Sequence, residues 1–317
     1  MPADIIEKKR ERFEIQGYRI VGNHSAIKIC HWCKQWLKNK GVCYKNDFYG
    51  IQSHRCVQMT PSLQHCSLRC QWCWRDTATA TSKWSGPIDE PKDIVDGCIH
   101  EQKKILMGFG GNDDINKKTF QEALKPLHFA ISLTGEPTLY PRLGELISEI
   151  HSRGMTTFLV TNATQPDALK KLVGKSEPTQ LYYTIPAPDE RTFIKSCNPS
   201  DKGAWKNILQ SLELMNSFSC RKTIRLTLAK EYNMINAEGY AELIRIANPD
   251  FVETKSYMWL GYSRKRLKKE NSPSNKELGD FTKAIAKALG WKLIAEKKES
   301  KVFLIMKDDK KERVMRF

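Results

Sequence analysis

The chain has 317 residues and carries 52 Lys and Arg against 36 Asp and Glu, a formal charge of +16. With 40% hydrophobic and 28% charged residues it supports a cooperative core, which excludes a disordered or fibrous chain; the length permits one large domain or two modest ones. No apolar run approaches the roughly 18 residues that span a bilayer, and the opening MPADIIEKKRERFEIQGYR has acidic residues and no apolar secretory core, so a cytoplasmic protein away from membranes is expected.

Residues 1–53 show little regular pattern beyond a short helix at the front, followed by a segment of Cys, Lys, Trp and Tyr. From His54 onward, short apolar strands alternate with amphipathic helices. Strands are predicted at 55–60, 128–134, 156–162, 180–185, 223–229 and 251–258, and helices near 91–107, 117–126, 141–153, 166–172, 201–217 and 236–247. This rhythm predicts an α/β fold in which crossover helices cover a parallel sheet. Polar residues fall at the carboxyl ends of the strands, where α/β folds build their sites: Thr134, Gly135 and Glu136, then Thr161 and Asn162, then Lys230, then Lys255. A further helix at 274–290 and a hairpin of 291–298 and 301–307 either extend the sheet or cover its open edge. The expected organisation is a single domain over 1–317, divided into an extension at 1–53, a core at 54–263 and a basic extension at 264–317.

Seven of the ten cysteines lie between Cys30 and Cys73, a density that favours metal or cluster ligation over disulfides in an intracellular chain. Cys98 lies on the apolar side of a helical pattern and reads as packing. Cys66, Cys70 and Cys73, in HCSLRCQWCWR, are spaced too tightly for a catalytic Cys/His pair and lack the paired knuckle of a structural zinc site, although His65 offers a fourth zinc ligand. Three thiolates on a 4Fe-4S cluster leave one iron open to a small molecule. Toward the other end, RKRLKK places Arg264, Lys265, Arg266, Lys268 and Lys269 directly after YMWLGYS, which contains Tyr257, Trp259 and Tyr262. Basic and aromatic residues side by side suit phosphate contacts and base stacking; a solvated loop, and for Trp259 a core position under the terminal hairpin, are the plainer readings.

The Cys-x3-Cys-x2-Cys loop after the first core strand, with Trp72 before its last cysteine, resembles that of the radical S-adenosylmethionine enzymes. The resemblance implies a partial (β/α)6 barrel in which Cys66, Cys70 and Cys73 hold a 4Fe-4S cluster and S-adenosyl-L-methionine is cleaved to a 5'-deoxyadenosyl radical. It also implies that SLTGEPT (residues 132–138) presents Gly135, Thr134 and the Glu136 carboxylate to the methionine ammonium, with Thr161, Asn162 and Lys230 as further cofactor contacts. Cys30, Cys43 and Cys56, thirteen residues apart, narrow the resemblance to the tRNA 4-demethylwyosine synthases. In that family they imply a second 4Fe-4S cluster. Cys33 rivals Cys30 for one ligand position, and CHWC also reads as a zinc-type knuckle.

Lys45, two residues after Cys43, is by the same resemblance the amine that captures a ketone as a Schiff base. The implied substrates are pyruvate and tRNA(Phe) carrying N1-methylguanosine beside the anticodon, joined to give 4-demethylwyosine. The positive charge suits that RNA, with Arg264, Lys265, Arg266, Lys268, Lys269, Trp259 and Tyr257 as its contacts. Fifty-three residues are too few for the flavodoxin-like domain of eukaryotic relatives, which implies an external ferredoxin or flavodoxin as electron donor, and a monomer is expected. Two other classes remain open: a radical enzyme acting on another substrate, and a nucleic-acid binding protein with structural clusters.

Overall fold

The computed structural model describes residues 6–317, so residues 1–5 of the opening stretch lie outside the described residues. The N-terminal extension is more regular than its composition suggests. After a helix at Arg10–Ile15, strands β1 (Arg19–Val21) and β2 (Ser25–Ile27) form an antiparallel hairpin, and short helices follow at His31–Leu37 and Tyr44–Tyr49.

The core strands follow as β3 (Cys56–Thr60), β4 (His128–Ile131), β5 (Thr156–Thr161), β6 (Gln180–Thr184), β7 (Arg221–Leu228) and β8 (Phe251–Ser256). Each pairs in parallel with the next, which demands the crossover helices that the sequence supplies. β2 adds antiparallel to β3 at one edge. At the other, β9 (Lys292–Lys297) and β10 (Val302–Met306) add as a hairpin, with β10 antiparallel to β8. The terminal hairpin therefore extends the sheet, which runs open through ten strands in the order β1-β2-β3-β4-β5-β6-β7-β8-β10-β9.

The two-residue period of the strands sorts their side chains between two cores. Val57, Phe129, Leu159, Tyr183, Ile224 and Val252 pack under the crossover helices. Their neighbours Phe158, Tyr182 and Phe251 face the other side, where they meet Tyr44, Phe48 and Tyr49 of the N-terminal extension. The same alternation puts Cys56, Arg225, Glu253 and Lys255 on that second face. The chain's end fastens this plug: Met315 N–H donates to the Tyr49 carbonyl at 2.9 Å, and Arg313 donates to the Phe48 carbonyl at 2.6 Å. Gly50 ends the Tyr44–Tyr49 helix at φ +79°, where a Cβ would lie 2.3 Å from the Met315 carbonyl.

Within the core, the helix Glu190–Cys197 has no counterpart among the predicted elements. Asp189 caps it by accepting from the Thr192 N–H at 2.8 Å. Among the described residues no helix is long and apolar enough to cross a membrane.

Candidate functional site

The loop after β3 is held from four sides. Cys66 N–H donates to the Thr81 carbonyl at 2.9 Å, while Arg69 and Gln71 N–H groups donate to the Cys197 and Ser196 carbonyls at 2.7 and 2.9 Å. Asn162 at the end of β5 donates to Ser67 Oγ at 3.2 Å and comes within 3.9 Å of Cys66 Sγ. From the C-terminal side, Arg266 donates to the Gln71 and Cys73 carbonyls. Trp72 is buried in the main core, so the loop is pinned with Cys66, Cys70 and Cys73 half-buried.

These three thiols sense one another. Burial, then the charges of Cys70 and Glu136, push Cys66 well above the ordinary thiol range; burial and Cys70 also raise Cys73. Cys70 is raised first by its hydrogen bond with Cys197. Deprotonating all three needs a compensating positive group. Among the described residues no three His, Cys, Asp or Glu side chains converge on a point for a single metal ion. A cubane asks for something different, because each iron takes its own thiolate around a cluster-sized space. His65 is turned away from a zinc role: its ring stacks on Trp84 at 4.3 Å and its Nε2 lies 3.4 Å from Ser85 N.

Beside this loop is a cleft of about 620 Å³, counted with the space open to solvent, whose walls include Cys66, Cys73, Trp74, Arg75, Thr134 and Gly135. Gly135 adopts φ +71°, and a Cβ there would lie 1.9 Å from the Ser62 carbonyl, so only glycine allows the two backbones to meet. The expectation for the Glu136 side chain needs correction. Its buried carboxylate accepts hydrogen bonds from Thr138 N–H (3.1 Å) and Oγ1 (2.6 Å), from Thr161 Oγ1 and from Asn162 N–H (2.7 Å). Oε1 takes three of these donors and Oε2 one, so the side chain ties the ends of β4 and β5 together, and half-buried Thr134 and Gly135 form the polar wall of the cleft. Lys230 is committed elsewhere too, in an ion pair with Glu277 at 2.7 Å.

On the plugged face of the sheet the extension gathers the other cysteines. Cys30 and Cys43 each immediately precede a short helix, and Cys56 opens β3. Burial and then the charge of Cys30 raise both Cys43, to about 11, and Cys56, to about 12. Cys33 is different: it is fully buried and its thiol donates to the His54 carbonyl at 3.4 Å, within a separate apolar cluster. The CHWC pair is therefore split between a buried thiol and a half-buried one.

Lys45 lies in the same region, its amine 4.4 Å from the Tyr182 ring centre and 4.9 Å from that of Phe158. Among the described residues it has no hydrogen bond or ion pair of its own. Burial, then repulsion from Arg225, lowers its pKa. Arg225 itself is paired: with Tyr44 and Tyr49 it saturates the buried Glu253 carboxylate at 2.8 to 3.0 Å. Sequence reasoning missed this network because its members lie on three separate elements. It placed Lys255 at a strand end on the expected site face but gave it no part in the pyruvate chemistry. Burial and Arg225 lower Lys255 to about 8, and its amine donates to the Ser300 carbonyl at 3.3 Å, 5.1 Å from the Tyr44 ring centre. The strand alternation could have flagged Lys255, as it shares a face with Phe251 and Glu253.

The basic run divides. Arg264, Lys265, Lys268 and Lys269 are exposed, whereas Arg266 is half-buried on the cysteine loop. Tyr257 is buried with its hydroxyl donating to Ser263 at 2.9 Å, which removes it from the surface available for stacking. Trp259 donates its indole N–H to the Leu267 carbonyl at 2.8 Å and packs on the main core, with Arg264 over its ring at 4.7 Å.

A family profile for wyosine base formation matches residues 246–307. The S-adenosyl-L-methionine-dependent tRNA 4-demethylwyosine synthase of Pyrococcus abyssi is 46% identical over 306 residues, covering 96% of this chain and 90% of that one. The synthase of the same name from Methanocaldococcus jannaschii is 38% identical over 309 residues, covering 96% and 95%. Among solved structures, TYW1 with a lysine-pyruvate adduct bound superposes with a TM-score of 0.87 at 36% identity, over 98% of this chain and 99% of that one. A radical SAM methyltransferase from Sphaerobacter thermophilus, at 12% identity and a TM-score of 0.55 over 85% and 69%, shares the fold.

Proposed function

Because the chain belongs to the S-adenosyl-L-methionine-dependent tRNA 4-demethylwyosine synthases, radical SAM enzymes of wyosine biosynthesis with a partial (β/α)6 barrel, we propose that it condenses pyruvate with N1-methylguanosine in tRNA(Phe) to form 4-demethylwyosine. The observation that carries this reading is the Lys45 amine, half-buried on the plugged face of the sheet beside Cys43 and Cys56, with no carboxylate partner among the described residues. An amine whose pKa is lowered by desolvation is more readily uncharged and so nucleophilic. Lys45 attacks the C2 ketone of pyruvate, a water leaves, and the three-carbon unit is fixed by an imine to the helix Tyr44–Tyr49. The solved relative with a lysine-pyruvate adduct supports this role.

Cys66, Cys70 and Cys73 would hold one 4Fe-4S cluster, and Cys30, Cys43 and Cys56 a second, with Cys33 left to packing. When bound, the first cluster supplies the electron that cleaves S-adenosyl-L-methionine and so starts hydrogen abstraction from the methyl group of the base. Thr134 and Gly135 offer backbone groups to the methionine end of the cofactor. Asn162 and Thr161 hold the wall beside Cys66. Arg225, Glu253 and the Tyr44 and Tyr49 hydroxyls fix the helix that carries Lys45, and Lys255 adds positive charge suited to a carboxylate. The exposed members of the basic run meet the RNA phosphates. One domain over 1–317, a cytoplasmic location, a monomeric state and an external ferredoxin or flavodoxin donor complete the reading.

The test is an anaerobic assay with reductant, S-adenosyl-L-methionine and N1-methylguanosine-containing tRNA, followed by mass spectrometry of the nucleosides. Formation of the tricyclic base only with pyruvate present, and its absence in Lys45→Ala, is expected. Product without pyruvate, or undiminished product in the variant, overturns the assignment.

A further inference from the structure

The indole of Trp74 is 42% exposed although it directly follows Cys73 in a loop whose other large apolar side chains, Leu68 and Trp72, are buried. Nothing in the core requires it there. Its backbone is nevertheless fixed: the Trp74 carbonyl accepts from Tyr262 N–H at 3.0 Å, and Gly261 passes so close, at φ +53°, that a Cβ would lie 2.5 Å from that oxygen. A single exposed apolar side chain is ordinary; what sets this one apart is that its backbone is fixed where the ring borders a cleft and a basic groove.

Trp74 and Arg75 line two spaces at once. On one side is the cleft beside Cys66, Cys73 and Gly135; on the other is an open groove shared with Lys28, Leu260, Tyr262 and Lys265. The cations of this groove have no carboxylate partner among the described residues. Lys28 and Arg75 lie over the Tyr18 ring at 5.3 and 4.6 Å, and Lys265 lies over Tyr262 at 5.0 Å. Asp76, the residue after Arg75, is already paired with Lys9 at 3.3 Å and Arg12 at 3.8 Å. Lys28 and Arg75 donate to the Gln16 and Leu133 carbonyls, at 2.5 and 3.1 Å, which positions them without neutralising them; such positive charge around an exposed indole matches a single RNA strand, whose phosphates need cations and whose bases need flat apolar surfaces.

Resting on the RNA-modifying reading above, we infer that Trp74 is the stacking platform for the base next to the one being modified, with Lys28, Arg75 and Lys265 holding the phosphates between them. A base drawn out of the loop into the cleft leaves its neighbour one phosphate away, and Trp74 stands at the boundary between cleft and groove. Stacking there replaces what the strand loses when the target base leaves the stack.

The test uses the full chain, prepared anaerobically, and an anticodon stem-loop RNA carrying N1-methylguanosine, with 2-aminopurine replacing the base on either side of it. Stacking on indole quenches 2-aminopurine fluorescence. With the parent protein, quenching is expected at one flanking position; Trp74→Ala loses it with binding weakened by roughly five- to a hundred-fold, whereas Trp74→Phe, which keeps a flat ring without the indole, retains most of the affinity. The salt dependence of binding stays the same in Trp74→Ala, since no charge is removed. Parent-like affinity and quenching in Trp74→Ala overturns the inference and leaves the proposed function standing, as does equal loss of affinity in Trp74→Phe and Trp74→Ala. Failure of the parent to bind the methylated RNA at all overturns both.

Discussion

Cys30 and Cys33 are three residues apart and chemically identical, yet their surroundings separate them. Cys33 is wholly enclosed and bonded to the His54 carbonyl, so its thiol is a packing group that burial keeps protonated. Cys30 is half-buried and its charge reaches both Cys43 and Cys56. Cys33→Ala should therefore leave iron content unchanged and lower stability by about 1 kcal/mol, whereas Cys30→Ala should remove about half the iron of anaerobically purified protein. Iron analysis of the two variants checks this, and equal losses would reassign the ligand. Sequence spacing alone could rank these two cysteines but not separate them, because the deciding feature is the contact of Cys33 with a carbonyl 21 residues away. Likewise the carboxylate in TGEP looked free to bind a ligand. Its four internal donors come from Thr138, Thr161 and Asn162, two of them on a neighbouring strand end.

The parallel strands β3 to β8 were legible because burial on both faces imposes nearly continuous apolar runs, and the crossover helices because one face must be apolar. The elements that escaped notice are short. β1, β2 and the helices His31–Leu37 and Tyr44–Tyr49 have no more than seven residues each, too few for a period to emerge, and tertiary contacts stabilise them. Glu190–Cys197 was detectable only by its Asp189 cap. Packing between β4 and β5 carries a consequence for acid stability. His128 is fully buried, accepts from Gln52 N–H at 3.2 Å and contacts Thr156 Oγ1 at 2.6 Å, and burial lowers its pKa to about 3. Its unfolded counterpart titrates near 6.5, so between those values the unfolded chain binds the extra proton. The contribution is intact above pH about 6.5 and is lost below it, at up to about 1.4 kcal/mol per pH unit. Urea unfolding at pH 7 and pH 5 should show a steeper loss in the parent than in His128→Gln, even though the variant starts less stable. Parallel losses would show that His128 is not the group responsible.

Across the whole molecule, charge and chemistry lie on one continuous surface: the cysteine loop, the groove at Trp74 and the exposed part of the basic run adjoin through Arg266 and Gly261. That continuity was partly visible in the sequence, which set the basic residues beside aromatics. It hid that Arg266 belongs to the loop and that Tyr257 belongs to the core. Charge reversal should accordingly be confined to Arg264, Lys265, Lys268 and Lys269. If all four face phosphates, the slope of log affinity for tRNA against log salt should become shallower by roughly three units, with iron content preserved. An unchanged slope in binding measured at several salt concentrations would mark them as plain solvated charge.

Two half-buried lysines, Lys45 and Lys255, lie near the second cysteine triplet, and both are held below the ordinary amine range. Lys255 already donates to the Ser300 carbonyl, whereas Lys45 has no such bond among the described residues, which makes Lys45 the amine free to attack a ketone. The decisive measurement is borohydride trapping with isotope-labelled pyruvate, followed by peptide mass spectrometry. Label on Lys45, absent from Lys45→Ala and retained in Lys255→Gln, is the expected result; label on Lys255 or any other lysine, with Lys45 unmodified, would contradict it.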